Sequence, residues 1–297
     1  MADPSSGFAF PGLDNLHNDI YPSIDASTNS SLHQPGKAVL VTGAGRGIGR
    51  AIALQYAHAD VSTLILCART REQLDQVSSS VSQINSQCRI LRYSIDVSSD
   101  AAVASLAAEI TSVVGRLDVL VNNAGAAEPW VLVSDSQPRD WWRTFETNVK
   151  GPYLFLHAFL PLLVETAAAR KTVVHVINMS SIGAHMVVPT ASAYQTSKLA
   201  LCRLTEFVDA EYAGKGVSAV AVNPGGVLTE LSNGIEAIKD HLNDTAELAG
   251  GFVVWLTAGA RTWLGGRYVA APWDVDVLER MKDEIVSGDK LKAKLVT

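Results

Sequence analysis

The sequence has little cysteine and no concentration of positive charge. Its 297 residues include three cysteines, Cys67, Cys88 and Cys202, which are far apart and form no CxxC pattern or cysteine–histidine cluster. This spacing argues against a disulfide framework and against structural zinc, so we expect no metal site. The formal net charge of −6 argues against a general nucleic-acid-binding protein, which needs a basic face.

A long hydrophobic run is also missing. The longest apolar stretch, residues 153–164, is interrupted by His157 and Pro161, and a membrane-spanning helix needs about 18 or more apolar residues. The N-terminus lacks the basic and then apolar segments of a secretory signal. We therefore expect no membrane span and a cytoplasmic location. Hydrophobic residues make up 47% of the chain, enough to bury a sizeable core.

Short apolar strands alternate with helical segments along most of the chain. Strands are predicted at residues 38–41, 63–66, 89–95, 117–121, 172–177, 217–222 and 267–270. Helical spacing covers residues 48–58, 72–84, 101–114, 138–169 (two helices), 193–212 and 246–256. Apolar strands that alternate with helices predict an α/β fold, a Rossmann-like doubly wound parallel sheet of about seven strands with helices on both faces.

The two ends of the chain differ from this body. Residues 1–35 are rich in Ser, Asn, Asp and Pro, and we interpret them as an extended arm that is either disordered or laid over the body. No linker divides residues 36–297, which we expect to form one domain. A charged helical tail is expected from about Trp273 onward.

A glycine-rich loop follows the first strand and opens the first helix. It reads TGAGRGIG from Thr42 to Gly49, so Gly43, Gly47 and Gly49 are spaced TGxxxGxG rather than GxGxxG. A diphosphate needs a tight turn, close backbone approach and the free N–H groups of a helix N-terminus. The loop is therefore interpreted as a dinucleotide-binding loop that includes Arg46 and Ile48.

Further motifs follow this loop in a fixed order: NNAG at residues 122–125, Ser181, YxxxK from Tyr194 to Lys198, and NPG at residues 223–225. Together they resemble the short-chain dehydrogenase/reductase family, in its compact single-domain branch, over roughly residues 37–269. The resemblance implies hydride transfer between a nicotinamide and the carbon of an alcohol or ketone. It also implies a homodimer or homotetramer.

Tyr194 and Lys198 are four residues apart, so on a helix they share one face. A free tyrosine has a pKa of about 10. A neighbouring ammonium and the charge of an oxidised nicotinamide would lower that pKa, so Tyr194 is expected to be the acid/base. By the resemblance, Lys198 also holds the nicotinamide ribose.

The resemblance assigns two more catalytic residues. Ser181 follows the fifth strand and would hydrogen-bond the substrate oxygen, with Ser180 as the rival for this role. Asn148 would anchor a water in a proton relay. Asparagine is unfavourable inside a helix, so its presence at residue 148 calls for a reason.

Other segments are expected to contact the dinucleotide. Asp96 and Val97 follow the third strand and resemble the adenine-contacting pair of the family, although Asp96 could instead be a capping residue. Asn223 is expected to brace its loop rather than touch the cofactor. The remaining contacts are expected from Asn123, Ala124, Gly125, Pro224, Gly225, Val227 and Thr229.

The end of the second strand predicts the choice of dinucleotide. An acidic residue there binds the ribose 2′-hydroxyl in NAD enzymes, whereas this chain has Ala68 followed by Arg69. Arg69 and Arg46 could hold a 2′-phosphate, so the predicted cofactor is NADP(H). In the alternative, Arg46 is solvated and Arg69 caps a helix.

Substrate choice is expected from loops at residues 126–133, 183–191 and 228–242. Trp130, Met186, Val187 and Val188 indicate a partly apolar pocket for a hydrophobic ketone or secondary alcohol. His185 could polarise the substrate, although a loop histidine without a role is the more common case. A non-catalytic NADP(H)-binding sensor, an NAD-preferring dehydrogenase and an epimerase or dehydratase are the competing interpretations.

Overall fold

A seven-stranded parallel sheet forms the centre of the molecule in the computed structural model, which describes residue 12, residues 15–233 and residues 235–295. The strands are β1 (Ala38–Thr42), β2 (Thr63–Ala68), β3 (Arg89–Ser94), β4 (Val119–Asn122), β5 (Val174–Met179), β6 (Val217–Asn223) and β7 (Tyr268–Ala270). Their spatial order is β3-β2-β1-β4-β5-β6-β7, and every pair is parallel. The predicted fold class is confirmed.

Nine α-helices occur in the described residues. They are α1 (Gly47–His58), α2 (Arg71–Ile84), α3 (Asp100–Val113), α4 (Pro138–Phe145), α5 (Gly151–Arg170), α6 (Ser192–Tyr212), α7 (Ala246–Ala258), α8 (Val275–Arg280) and α9 (Lys282–Ser287). Successive strand residues face opposite sides of the sheet. Val39 and Val41 accordingly pack in the cluster that contains α1, α2 and α7, while Leu40 packs in the cluster that contains α3 and α5. Helices therefore cover both faces.

The edge strand β3 is less buried than predicted. None of its six residues is fully buried, and Arg89 and Ser94 are exposed. An edge strand has a neighbour on one side only, so its side chains keep more contact with water. Both faces of β3 are still partly covered, since Ile90 packs against the cluster that contains α1 and Leu91 against the cluster that contains α3.

The described part of the N-terminal arm lies against the body. Ile24 is 0% exposed and Leu32 is 3% exposed, and both belong to the core cluster beside α7. Residues 1–11, 13 and 14 lie outside the described residues. At the other end of the chain, the tail is helical only as far as Ser287. The expected helical tail is therefore found only in part, because the segment from Gly288 to Leu295 is irregular.

One long helical segment runs from Pro138 to Arg170, through α4, a π-helical turn (Glu146–Lys150) and α5. Within the described residues, this segment alone has the length and apolar composition to cross a membrane, and half of its apolar window is buried inside the protein. The expectation of no membrane span stays a prediction. The finding is weak evidence for a span, because Phe155, Phe159 and Leu163 pack into the core.

Candidate active site

A cleft of about 1760 Å³ opens beyond the carboxyl ends of the strands. The strand order reverses between β1 and β4, which is where ligands bind in doubly wound sheets. Of the residues predicted for the site, Asn148 alone is absent from the cleft lining. The others all line it: Gly43, Arg46, Gly47, Ile48, Gly49, Arg69, Asp96, Val97, Asn123, Ala124, Gly125, Ser181, Tyr194, Lys198, Pro224, Gly225, Val227 and Thr229.

The glycine loop has the geometry that a diphosphate requires. Gly43 and Gly47 have φ values of +65° and +51°, which glycine adopts without strain. A Cβ added at Gly49 would overlap the carbonyl oxygen of Gly43, so the helix start can approach the loop only without a side chain. Helix α1 begins at Gly47, and its N-cap residue Arg46 makes no side-chain capping bond. The loop therefore fits a dinucleotide phosphate at the N-terminus of α1.

Asn123 braces this loop. Its side-chain amide donates to the carbonyl oxygens of Thr42 at 2.9 Å and Gly43 at 3.3 Å. The backbone N–H groups of Asn123 and Ala124 donate to the Thr42 hydroxyl at 2.9 and 3.0 Å. The Asn123 side chain thus holds the two strand ends together, and a cofactor would meet the backbone of Ala124 and Gly125.

Two arginines lie at the end of the cleft beyond β2. The guanidinium of Arg46 is half exposed and forms an ion pair with Glu230. The charge of Arg69 is one cause of the lowered pKa of Asp96, although the largest causes are hydrogen bonds from Ser98. Helix α2 begins after Thr70, whose side chain makes no capping bond, so neither Arg69 nor Thr70 is a side-chain cap of this helix.

The carboxylate of Asp96 is engaged within its own turn. It accepts hydrogen bonds from the Ser98 backbone at 2.9 Å and the Ser98 hydroxyl at 2.7 Å. The cap of α3 is Ser99 and not Asp96, so the capping alternative was wrong, and Asp96 lies on the cleft wall. Val97 packs against α5 near Gly151, where an added Cβ would lie 3.0 Å from the Val97 side chain.

Tyr194 and Lys198 meet on one face of α6, as their spacing predicts. The Lys198 ammonium lies 5.6 Å from the centre of the Tyr194 ring and donates to the carbonyl oxygen of Met179 at 2.8 Å. Burial lowers the pKa of Lys198 to about 8. The Met179 carbonyl at the end of β5 thus holds the ammonium beneath the Tyr194 ring.

The protein alone raises the pKa of Tyr194, whereas the expected lowering also depends on the charge of an oxidised nicotinamide. Burial raises this pKa above its ordinary value, and a hydrogen bond with the Ser181 side chain partly opposes the shift. Desolvation penalises the phenolate more than its surroundings stabilise it. Tyr194 therefore keeps its proton at neutral pH, which suits a proton donor.

Ser181 and Ser180 have different surroundings. The Ser181 hydroxyl accepts from the Gly183 backbone at 3.1 Å at the start of a 3-10 turn (Ile182–Ala184). The Ser180 hydroxyl is buried, donates to the Lys198 carbonyl at 3.2 Å and contacts the Cys202 sulfur at 3.2 Å. Ser180 thus packs against α6, whereas Ser181 bonds with Tyr194.

Asn148 lies in the π-helical turn and is 1% exposed. Its side chain accepts from the Ala126 N–H at 2.8 Å, donates to the Ala126 carbonyl at 2.9 Å and donates to the Ser197 hydroxyl at 3.0 Å. The side chain therefore braces the Ala126 backbone against α6, and its part in a proton relay stays a prediction. The backbone carbonyl of Asn148 has no α-helical donor, because residue 152 is proline. π-Turns of this kind often mark functional sites.

Several residues that shape the site were missed by the sequence interpretation. Glu128 is 6% exposed, and its carboxylate accepts from the Ala193 N–H and the Thr144 hydroxyl, both at 3.1 Å. Asn18 and Leu16 of the arm also line the cleft. No periodicity marks these residues, since each acts through a contact with a distant segment.

The expected substrate loops do reach the cleft. Trp130, His185, Met186 and Val188 line it. The His185 ring packs edge-on against Tyr268, with 4.4 Å between ring centres, and burial lowers the pKa of His185. His185 is therefore neutral at pH 7. As expected, Asn223 braces its own loop, accepting from the Gly225 N–H at 3.2 Å.

Comparisons with known proteins agree with this geometry. The family model for short chain dehydrogenase matches residues 37–240. The chain is 46% identical to the short chain dehydrogenase mpl6 of Monascus purpureus over 299 residues, covering 99% of this chain and 98% of that one. The Pseudomonas aeruginosa RhlG/NADP active-site complex is similar in structure, with a TM-score of 0.72, 25% identity and coverage of 82% and 97%.

A second solved structure shares the fold alone. It is the 3-ketoacyl-(acyl-carrier-protein) reductase of Brucella melitensis complexed with NADH, with a TM-score of 0.73, 23% identity and coverage of 80% of this chain and 97% of that one. The family model covers more than half of the chain. This protein belongs to the short-chain dehydrogenase/reductase family and is an oxidoreductase.

Proposed function

We propose that this oxidoreductase transfers a hydride between NADP(H) and a secondary alcohol or ketone. The observation that carries the proposal is the arrangement of Tyr194, Ser181 and Lys198 in the cleft. The Tyr194 phenol is held protonated and bonded with Ser181, and Lys198 lies under its ring. A dinucleotide held by the glycine loop would bring its nicotinamide into the same cleft and, when bound, would supply or accept the hydride.

In the reducing direction, Tyr194 donates its proton to the substrate oxygen as negative charge develops there. Ser181 donates a hydrogen bond to the same oxygen and stabilises that charge. The ammonium of Lys198 then stabilises the phenolate of Tyr194. In the oxidising direction, the phenolate form of Tyr194, favoured by Lys198 and by the charge of an oxidised nicotinamide, would take the proton of the alcohol.

The preference for NADP(H) rests on the end of β2. Ala68 supplies no carboxylate to bind a 2′-hydroxyl, and Arg69 and Arg46 lie beside that end of the cleft. Glu230, the ion-pair partner of Arg46, would have to give way to a 2′-phosphate. A phosphate with two negative charges offers both guanidinium groups a stronger partner than one exposed carboxylate does.

The substrate proposed is a hydrophobic small metabolite. Trp130, Met186 and Val188 line the cleft together with Ile235 and Leu242, so that part of the wall is apolar. His185 is neutral at pH 7, and we propose no acid/base role for it. A hydrophobic ketone would bury apolar surface there, whereas a sugar would need more polar partners.

The direct test measures NADPH consumption with a panel of cyclic, aromatic and aliphatic ketones. Tyr194→Phe removes the hydroxyl alone and is expected to reduce kcat by about 100-fold to 10,000-fold. Tyr153→Phe, at an exposed position on α5, is the matched control and should retain full activity. Full activity in Tyr194→Phe would refute the assignment of the proton donor.

A second experiment tests the dinucleotide preference by comparing kcat/KM for NADPH and NADH. Arg69→Asp should weaken the use of NADPH far more than that of NADH, because it places a carboxylate beside the 2′-phosphate. Arg139→Asp is the control, since Arg139 is 90% exposed on α4. Equal or better efficiency of the unmodified enzyme with NADH would contradict the preference.

We also propose that the chain acts as a cytoplasmic homodimer or homotetramer. Support comes from the family resemblance and from the exposed aromatic side chains of Trp142 (61% exposed) and Phe207 (57%). Large exposed apolar side chains occur at association surfaces. Light scattering after size exclusion tests the mass, and a monomer would contradict this proposal.

A further inference from the structure

The described part of the N-terminal arm forms one wall of the cleft. Leu16 and Asn18 line it, although they are at least 20 residues before β1. The segment is fixed by backbone contacts: Leu16 forms an antiparallel bridge with Trp273, and the His17 N–H donates to the Pro272 carbonyl at 2.8 Å. The arm is thus in place to act on the site.

Asn18 is bonded to the segment that precedes α7. Its side-chain amide donates to the Asp244 carboxylate at 2.7 Å, and its carbonyl accepts from the Thr245 N–H at 2.8 Å. The neighbouring Asp19 carboxylate accepts from the Thr245 hydroxyl at 2.6 Å. The arm therefore determines where the Asp244 carboxylate lies.

Asp244 in turn holds the loop that follows β6. Its second carboxylate oxygen accepts from the Gly226 N–H at 2.6 Å, and its own N–H donates to the Gly226 carbonyl at 2.9 Å. A Cβ at Gly225, where φ is +93°, would overlap the Asp244 carboxylate. The backbone of Gly225 and Gly226 is therefore shaped directly around Asp244.

A second set of contacts fastens the other side of the arm. The His17 ring stacks on Tyr21, with 3.6 Å between ring centres, and lies 2.9 Å from the Asp274 carboxylate. The Tyr21 hydroxyl donates to the Trp273 carbonyl at 3.2 Å and accepts from the Val275 N–H at 2.9 Å. Asn18 lies between these contacts and Asp244, so its position is set from both sides.

We propose that Asn18 is a positioning residue for the dinucleotide. Through Asp244, it fixes the backbone of Gly225 and Gly226, which faces the nicotinamide end of the cofactor. The inference rests on the proposed function, since it assumes that the loop after β6 meets the nicotinamide. It assigns to the arm a part in cofactor binding and none in proton transfer.

The test is NADPH titration of the full chain, followed by intrinsic fluorescence, together with steady-state kinetics. Asn18→Ala removes the donor to Asp244, and Asn18→Asp places a second carboxylate against it. Both should raise the Kd and KM for NADPH by about tenfold or more, and Asn18→Asp by the larger factor. At saturating NADPH, kcat should stay within a few-fold of the unmodified value, which a general loss of structure would not allow.

Ser23→Ala is the matched control. The Ser23 hydroxyl belongs to the same arm and donates to the exposed Asp276 carboxylate at 2.7 Å, on the side away from Gly226. This variant should bind NADPH as the unmodified chain does. If Asn18→Asp fails to fold, Asn18→Ala and the control still decide the matter.

The outcomes separate the inference from the function on which it rests. Unchanged NADPH affinity in Asn18→Ala, with tight binding by the unmodified chain, overturns the role of Asn18 alone. A fall in kcat with an unchanged KM for NADPH also overturns it. Failure of the unmodified chain to bind NADPH or NADH overturns the proposed function, and the inference with it.

Discussion

The side-chain amide of Asn148 lies 3.0 Å from the Ser197 hydroxyl, to which it donates. The Ser197 hydroxyl in turn donates to the Tyr194 carbonyl at 2.7 Å. The π-helical turn between α4 and α5 is thereby tied to the backbone of the residue that we propose as the proton donor. A buried polar chain of this kind fixes a position only while every member has a partner.

Replacing Asn148 should therefore reduce both activity and stability. Asn148→Ala leaves the Ala126 backbone groups and Ser197 without their partner, which costs about 1–3 kcal/mol for each buried polar group. A small displacement of Tyr194 can lower kcat by about 100-fold. Urea denaturation and steady-state kinetics measure the two effects.

Two comparisons sharpen this experiment. Asn148→Asp keeps the acceptor for the Ala126 N–H and loses the donors, so its loss should be intermediate. Lys150→Ala lies in the same turn, where the lysine pairs with Asp100 at an exposed position, and it should change little. Wild-type activity in Asn148→Ala would show that the turn is not needed to place Tyr194.

Gly49→Ala should abolish dinucleotide binding at the concentrations that saturate the unmodified chain. The added Cβ would overlap the Gly43 carbonyl and lie 2.6 Å from the Asn123 side-chain nitrogen, so the loop and the helix start must move apart. Overpacking of this kind costs about 1–3 kcal/mol. Titration with NADPH and thermal melting measure both consequences.

The matched control is Gly214→Ala, where an added Cβ meets nothing within 4 Å. This substitution should leave both binding and melting unchanged. Equal NADPH affinity in Gly49→Ala and Gly214→Ala would mean that the close approach at Gly49 has no bearing on the phosphate site.

Glu128 is expected to stabilise the start of α6. The N-cap residue Ala191 offers no side-chain acceptor, and the Glu128 carboxylate accepts from the Ala193 N–H instead. Glu128→Ala should reduce the free energy of unfolding by about 1–2 kcal/mol, the usual effect of losing a helix cap. Chemical denaturation provides the measurement.

Glu128→Gln keeps an oxygen that can accept from Ala193 and should lose less stability than Glu128→Ala. A remaining difference from the unmodified chain would report the charge of the carboxylate near the positive end of the α6 dipole. If Glu128→Gln and Glu128→Ala were equally destabilised, the acceptor at Ala193 would not be the source of the effect.

His175 should make the protein less stable in acid. It is 4% exposed, and burial, assisted by the charges of Lys37 and Arg261, lowers its pKa to about 3. Its folded pKa lies below the unfolded value of about 6.5, so the unfolded chain binds the extra proton between these values. The contribution of neutral His175 to the free energy of unfolding is therefore fully present above about pH 6.5. It is lost as the pH falls toward 3, at up to about 1.4 kcal/mol per pH unit.

Urea denaturation at several pH values tests this expectation. Between pH 4 and 6, the free energy of unfolding of His175→Gln should depend less steeply on pH than that of the unmodified chain. The difference in slope should correspond to the uptake of up to one proton on unfolding, whatever the stability of the variant at pH 7. His157→Gln, at an exposed position on α5, should leave the slope as it is. An identical slope in His175→Gln would assign the acid sensitivity to other groups.

Much of the framework followed from local patterns. The alternation of strands and helices predicted the parallel sheet, and the glycine loop and the spacing of Tyr194 and Lys198 predicted residues that the fold brings into one cleft. These features are encoded within a few residues, because helix periodicity and glycine conformation act over short distances along the chain.

The sequence by itself determined the order of the elements and the family, and it predicted the residues that carry proton transfer. The tertiary structure alone decided the roles that depend on a distant partner. Only the folded chain shows that Asn148 forms hydrogen bonds with Ala126 and Ser197, and that Asn18 forms one with Asp244. It also raised the pKa of Tyr194, because desolvation depends on everything packed around the phenol and not on the lysine four residues away.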